Sequence, residues 1–364
     1  TNSGVQNFTF WGSNTGAGTF DDLVYANDEG WTQLTISQST FDQHTGSDVA
    51  DPKYITVTNS TAYRYYAFKF ADNYANASYM GVRRIELQTE NNEAIYHVKV
   101  TSISSSADTD IYYYYDKDHA DNTTYIGAIN TTAGGHVWDS NFKAVYHMVD
   151  ATTSTVVDST SNNNDGTKAS ADHPASVTAK IGLGQSFADE DVILVSDSAS
   201  LDIQAKLTIE VCIKPDSDTD GYFVAKWHID NSYGTRNDNG NPRFFLSQNS
   251  SATSKTYTDL TLTNLTWAYL SFVYDSSKIR CYLNGTESAQ TEDFSGNIDS
   301  TNEDLRISRP INNEFLGIQD EIRISATNRS TAWIKGTYNS LWDTLLTYGS
   351  EETSGNAIFF GTNF

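Results

Sequence analysis

Apolar and polar residues alternate in short runs along this chain, and the runs end at Asp, Asn, Gly or Pro. The pattern is plainest in TAYRYYAFKF (61–70), DIYYYYD (110–116), LTIEVCIKP (207–215), WAYLSFVYD (267–275), KIRCYLNG (278–285) and DEIRIS (320–325). A period of two carried by β-branched and aromatic residues predicts strands. In LTIEVCIKP, Leu207, Ile209, Val211 and Ile213 share one face, with Thr208, Glu210 and Lys214 on the other. That predicts an antiparallel strand buried on one side only. Asn284-Gly285 predicts a tight hairpin turn. The tyrosines of 112–115 should alternate, two rings in and two out. A helical period is clearest at STAWIKGTYNSLW (330–342), where Ser330 can cap and Trp333, Ile334 and Tyr338 share a face. The predicted fold class is all-β: tandem antiparallel β-sandwiches with very little helix.

Polar breaks divide the chain. Residues 1–90 close with the strand-like VRRIELQ before TENNE, 91–140 form a small connecting β domain ending in INTTAGGH, and 141–350 hold a regular series of strands and turns. The tail 351–364 reads as an added edge strand or a subunit contact.

Composition narrows the partners. No apolar run reaches the eighteen or so residues of a membrane span, so no membrane insertion is expected. The formal charge is −23, from 46 acidic against 23 basic residues, which repels phosphate backbones and argues against nucleic acid. The same charge suits metal cations, or salty surroundings that screen self-repulsion. Cys212 and Cys281 are too few for a disulfide framework and form no CxxC, leaving one cross-strand disulfide or two buried thiols. With no initiator Met and no signal peptide, Thr1 is expected to begin a fragment and not the gene product.

Two stretches carry candidate chemistry. DSTSNNNDGT (158–167) packs carboxylates, amides and hydroxyls together with no apolar side chain. Calcium takes six to eight oxygens, which such loops supply. The spacing is not that of an EF-hand, since a loop begun at Asp158 places Asn163 sixth and Ala169 twelfth. A calcium ligand set and an Asx-rich turn satisfied by its own backbone both fit these ten residues. The second stretch, WHIDNSYGTRNDNGNPR (227–243), reads as a long polar connection bearing Trp227, Tyr233, Arg236, Asn237 and Asp238. Rings that stack on sugar faces, beside amides and charges for hydroxyls, make a glycan-binding candidate. No GxSxG and no HExxH occur, and His147 in the apolar YHM run reads as structural.

The landmarks AVYHM (144–148), DSTSNNNDGT, KIGLGQSF (180–187), LTIEVCIKP, TWAYLSFVYD (266–275), IRCYLNG and GIQDEIRIS (317–325) resemble, in order and spacing, the laminin-G-like, concanavalin A-type jelly-roll family. Cys212 stands where that family usually has an aromatic residue. The resemblance implies a jelly roll over 141–350, with Trp267 in its core. It also implies one structural calcium held between Asp158 and Asp320 with oxygens from Asn162 and Asn164. The ExDxxE run of laminarinase-type jelly rolls is missing. Residues 1–90 are similar to the later half of a discoidin-type galactose-binding-like sandwich, with Trp11 and Trp31 as packing residues. Residues 91–140 resemble the end of a β domain that precedes such jelly rolls in phage and bacterial surface proteins.

These readings lead to a non-catalytic glycan-binding or adhesion module of an extracellular, cell-surface or virion protein, such as a phage tail fibre. A structural decoration or sheath subunit is the alternative, a homo-oligomer or part of a larger assembly. A third is the accessory binding arm of a polysaccharide hydrolase.

Overall fold

The structure is a computed structural model describing residues 3–14, 31–44, 53–59, 61, 63–76, 79–82, 85, 95–104, 106–112, 122–129, 131–168, 173–227, 231–308 and 313–347. The chain divides into two compact units, Thr1–Asn92 and Glu93–Phe364.

In the first unit β1 (Phe8–Ser13) lies between β2 (Thr32–Gln33) and β5 (Tyr65–Phe70), all antiparallel, and β3 (Thr35–Ile36) pairs with β4 (Val57–Thr58). Alternation in FTFWGS splits its side chains. Phe8 and Phe10 pack against Phe41 and Phe68. Trp11 joins Trp31 and Ala67 in a second buried cluster, with the Lys69 ammonium 4.0 Å from the Trp11 ring centre.

The second unit opens with the single-turn α1 (Thr132–Gly135). Its described residues before 131 contain no strand. Of the predicted strand 110–116, residues 110–112 are not strand, Tyr112 is exposed, and the rest lies outside the described residues. So do the tail 351–364 and most of VRRIELQ. Sixteen strands follow among the described residues. They are β6 (Phe142–Tyr146), β7 (Gly166–Lys168), β8 (Ala175–Thr178), β9 (Leu183–Phe187), β10 (Ile193–Val195), β11 (Leu207–Pro215), β12 (Gly221–Trp227) and β13 (Asn231–Asp238). Next come β14 (Asn241–Gln248), β15 (Ser251–Thr256), β16 (Ala268–Tyr274), β17 (Lys278–Leu283), β18 (Thr286–Glu287), β19 (Glu292–Asp293), β20 (Leu305–Ile307) and β21 (Gly317–Ser325).

They form two antiparallel sheets. One runs β15-β14-β13-β12-β20-β10-β7; the other runs β18-β17-β16-β11-β21-β9-β8, with β19 on β17 and β6 on β21. Inward side chains of both build one core, in which Phe223 and Phe244 of the seven-stranded sheet approach Phe272 of the nine-stranded sheet at 6.3 and 5.6 Å. This is sheet-on-sheet packing, and it buries the alternating faces that the sequence displays.

The nine-stranded sheet is covered outside as well. α2 (Thr331–Leu341) begins at Ser330, whose hydroxyl accepts the Trp333 N–H at 3.2 Å. Ile334, Leu341, Tyr338 and Trp342 cover Cys212, Tyr269, Val273 and Tyr282. β11 is therefore buried on both faces, with Thr208 and Glu210 at 0% exposure. The one-sided expectation fails because α2 shields the second face. Trp267 packs into this outer cluster and not into the inter-sheet core, while Trp333 remains 41% exposed under the Arg329 guanidinium. Cys212 and Cys281 are free thiols in different clusters, on opposite faces of the sheet. Asn284 and Gly285 both have positive φ and join β17 to β18 as predicted.

Candidate functional site

The 158–167 stretch is a turn closed on itself. Asp158 Oδ1 accepts the N–H groups of Val145 (3.0 Å) and Thr160 (2.9 Å). Its Oδ2 accepts the Thr160 hydroxyl and the Asn164 N–H, both at 2.9 Å. Asp165 takes the Asp158 N–H at 2.8 Å, and Tyr146 donates its hydroxyl to the Asn164 carbonyl at 2.6 Å. The Asn162 and Asn164 side chains donate to the carbonyls of Phe142 and Lys143. Burial pushes the Asp158 carboxyl above its ordinary value, against the pull of these backbone hydrogen bonds.

Asp320 is elsewhere. Its Oδ2 accepts the Ile181 N–H at 2.8 Å and its Oδ1 is buried without a partner. Burial and the neighbouring Glu321 charge push this carboxyl up. Val145 turns both its N–H and its carbonyl toward residues 158 and 159, so β6 lies between Asp158 and the strand that carries Asp320. The structure gathers Asp158, Asn162 and Asn164 but does not bring Asp320 to them. With all four acceptor positions of Asp158 taken, these residues do not fit a single calcium ion.

The 227–243 segment is not a long connection. Beyond residues 228–230, which lie outside the described residues, it is the antiparallel pair β13 and β14, turning at Asn239 and Gly240 with φ of 51° and 80°. Strand alternation separates the five expected glycan residues. Tyr233 points into the core, fully buried, with its hydroxyl on the Leu201 carbonyl at 3.0 Å. Asn237 is buried, bridging the Thr219 carbonyl and the Gly240 N–H. Trp227, Arg236 and Asp238 take the outer face.

There they meet residues that the sequence reading missed. Tyr222 of β12 and Phe245 of β14 form an aromatic floor at 5.4 Å, edge to face, and Trp227 stands on Phe245 at 4.8 Å. Gly234 makes this possible, because a Cβ there would overlap the Phe245 ring and crowd Ala225. Arg236 lies 5.9 Å from the Tyr222 ring centre and reaches Asp238 (3.1 Å) and Asp220 (3.3 Å). Arg243 spans Asp238 (3.3 Å) and Ser254 (2.8 Å), while Thr256 donates to Asp238 at 2.6 Å. Burial works against the Asp238 charge, but the Thr256 hydroxyl and the two guanidiniums hold its carboxyl below the ordinary range. An anchored anion of this kind orients the arginines and does not supply a proton.

Tyr222, Trp227, Arg236, Arg243, Phe245, Ala252 and Ser254 enclose a depression of about 130 Å³. A larger one of about 280 Å³, around Lys143, Asp202 and Lys206, has no aromatic ring in its lining. Enclosed ligand pockets hold roughly 300–1,000 Å³, so the aromatic depression suits gripping one face of a ring. Among the described residues, no helix is long and apolar enough to cross a membrane.

None of the curated proteins matches the chain. Among solved structures it is similar to the binding domain of Paraclostridial mosquitocidal protein 1, at 12% identity and TM-score 0.47, over 56% of this chain and 53% of that one. The chain thus covers about half the length of that relative. It is also similar to domain 4 of an extracellular arabinanase from Geobacillus stearothermophilus solved with arabinotriose, at 18% identity and TM-score 0.43, over 54% and 97%. A third is the ligand-binding domain of botulinum neurotoxin serotype D solved with N-acetylneuraminic acid, at 14% identity and TM-score 0.44, over 55% and 51%. Residues 187–360 match the laminin-G-type model of the concanavalin A-like lectin/glucanases superfamily, and the two packed antiparallel sheets described above are a concanavalin A-like jelly roll.

Proposed function

We propose that the second unit is a non-catalytic glycan-binding module whose contact surface is the outer face of β12–β15. The observation that carries this reading is the aromatic floor of Tyr222 and Phe245 with Trp227 upright at its edge, flanked by two arginines held by Asp238. An apolar ring face packs on the aromatic surfaces, and the guanidinium N–H groups of Arg236 and Arg243 point donors at hydroxyls beside it. The wider setting suited to such a module is adhesion, on a cell surface or a virion fibre.

The test is binding of the full chain to a glycan array, compared with Trp227→Ala. Trp227 is half-buried and outside the core, so the variant keeps its fold. Loss of about fivefold in affinity, the worth of roughly 1 kcal/mol of ring contact, is expected. Failure of the intact chain on every glycan, or binding indifferent to the substitution, refutes the assignment.

A further inference from the structure

On the outer side of the nine-stranded sheet, away from the aromatic depression, three ligand-type side chains converge. His97 belongs to the segment that precedes α1, His147 follows β6, and Glu321 lies within β21. One donor atom from each lies within 4.8 Å of the other two. His147 Nδ1 is 2.6 Å from Glu321 Oε1, His97 Nε2 is 3.8 Å from the same oxygen, and the two imidazole rings are 4.1 Å apart.

The backbone is shaped to make this cluster. β21 carries a register shift opposite Glu210 and Cys212, and Glu321 sits in it at φ 48°. A non-glycine residue in the left-handed region of a central strand is strained, and bulges of this sort re-aim a side chain. Here the carboxylate, 1% exposed, is turned beneath His147, 3% exposed. Arg323 fixes the second oxygen, Oε2, at 2.7 Å. Trp138 lies against both imidazoles, at 5.7 and 5.6 Å, and 5.3 Å from the Arg323 guanidinium. His147 Nε2 is buried with no hydrogen-bond partner, so Nδ1 is the atom that ties this ring to the carboxylate.

From this geometry we propose that His97, His147 and Glu321 form a binding site for a zinc ion. Two imidazoles and one carboxylate are ligands that zinc accepts, and they leave a fourth position for water. Tetrahedral bonds of about 2.0–2.1 Å require donor atoms about 3.3 Å apart. The 2.6 Å contact opens and the 3.8 Å contact closes by less than about 1 Å each, and the two imidazole nitrogens, within 4.8 Å of each other, close by at most about 1.5 Å, within the reach of side-chain rotation. Arg323 then serves as the outer partner that orients the carboxylate. The ion pins the segment around residue 97 to β6 and β21, a role independent of the glycan surface.

The test uses the full chain, freed of metal by chelation and titrated calorimetrically with zinc chloride. One ion per chain and a raised melting temperature are expected. His97→Ala, at a side chain 19% exposed, should weaken zinc binding by about a hundredfold or more with an unchanged far-ultraviolet spectrum. Glu321→Gln, which keeps the shape and loses the anion, should weaken it as well, and His44→Ala should not. Cobalt(II) in place of zinc should give the intense visible bands of a four-coordinate ion, lost in His97→Ala. No stoichiometric binding to the intact chain, or binding that both cluster variants leave unchanged, overturns the site.

Discussion

Asp158 shows how a single side chain can do by hydrogen bonding what a metal is often expected to do. Its two oxygens collect three backbone N–H groups and a hydroxyl, tying the 158–167 turn to β6. Removing the carboxylate leaves buried donors without acceptors, each costing about 1–3 kcal/mol. Asp158→Ala should therefore lose about 3 kcal/mol in denaturant unfolding. Calcium added to the metal-free protein should leave its melting temperature unchanged, because both oxygens of Asp158 are already occupied by donors of the protein and Asp320 lies beyond β6. A calcium-dependent rise that Asp158→Ala removes would contradict this account of the turn.

At the scale of elements, the strands the sequence shows best are those with strong apolar alternation. β11, β16, β17 and β21 fall where LTIEVCIKP, WAYLSFVYD, KIRCYLNG and DEIRIS place them. β13 is hidden because its inward positions after Tyr233 are Thr235 and Asn237, and Gly234 occupies its outer face. With so little apolar signal, NSYGTRND passes for a loop, although Asn239-Gly240 marks the hairpin that follows. Of the residues on the outer face proposed as the contact surface, Trp227, Arg236 and Asp238 are legible in the sequence. Tyr222, Arg243 and Phe245 are not, since only cross-strand register brings them alongside. The Glu321 bulge is equally silent in sequence, because it exists only through pairing with a strand about a hundred residues earlier.

The turn between β16 and β17 offers a test at this same scale. Asp275 Oδ1 accepts the N–H groups of Ser277 and Lys278, both at 2.9 Å, and Oδ2 pairs with Arg280. Burial opposes its ionisation, but the Ser277 and Arg280 hydrogen bonds prevail and hold the carboxyl well below the usual range. A depressed folded-state value adds stability that is present above the unfolded value of about 3.9 and fades as pH falls through the folded one. Asp275→Asn should thus melt lower than the parent at pH 7, and the gap should narrow as the solution is acidified below about pH 4. A gap that stays constant with pH would exclude the ionised carboxylate as its source.

For the whole molecule, charge is the dominant feature. With a formal net charge of −23, acidic residues outnumber basic ones 46 to 23, and such self-repulsion weakens the compact state. Raising salt from about 0.01 to about 0.15 M shortens the screening length from roughly 30 to roughly 8 Å. The melting temperature should rise over that range; a fall would mean that attractive pairs such as Arg329–Asp139 outweigh the net repulsion.

The seven-stranded sheet has a further consequence through its alternation. Phe223, Tyr233, Phe244 and Leu246 hold the sandwich from one side, while Tyr222, Trp227, Arg236, Arg243 and Phe245 occupy the other. Two independent sets of positions thus share the same few strands. The outward set can be rewritten for a new partner while the inward set goes on holding the sheets together, which makes this face a substrate for rapid diversification.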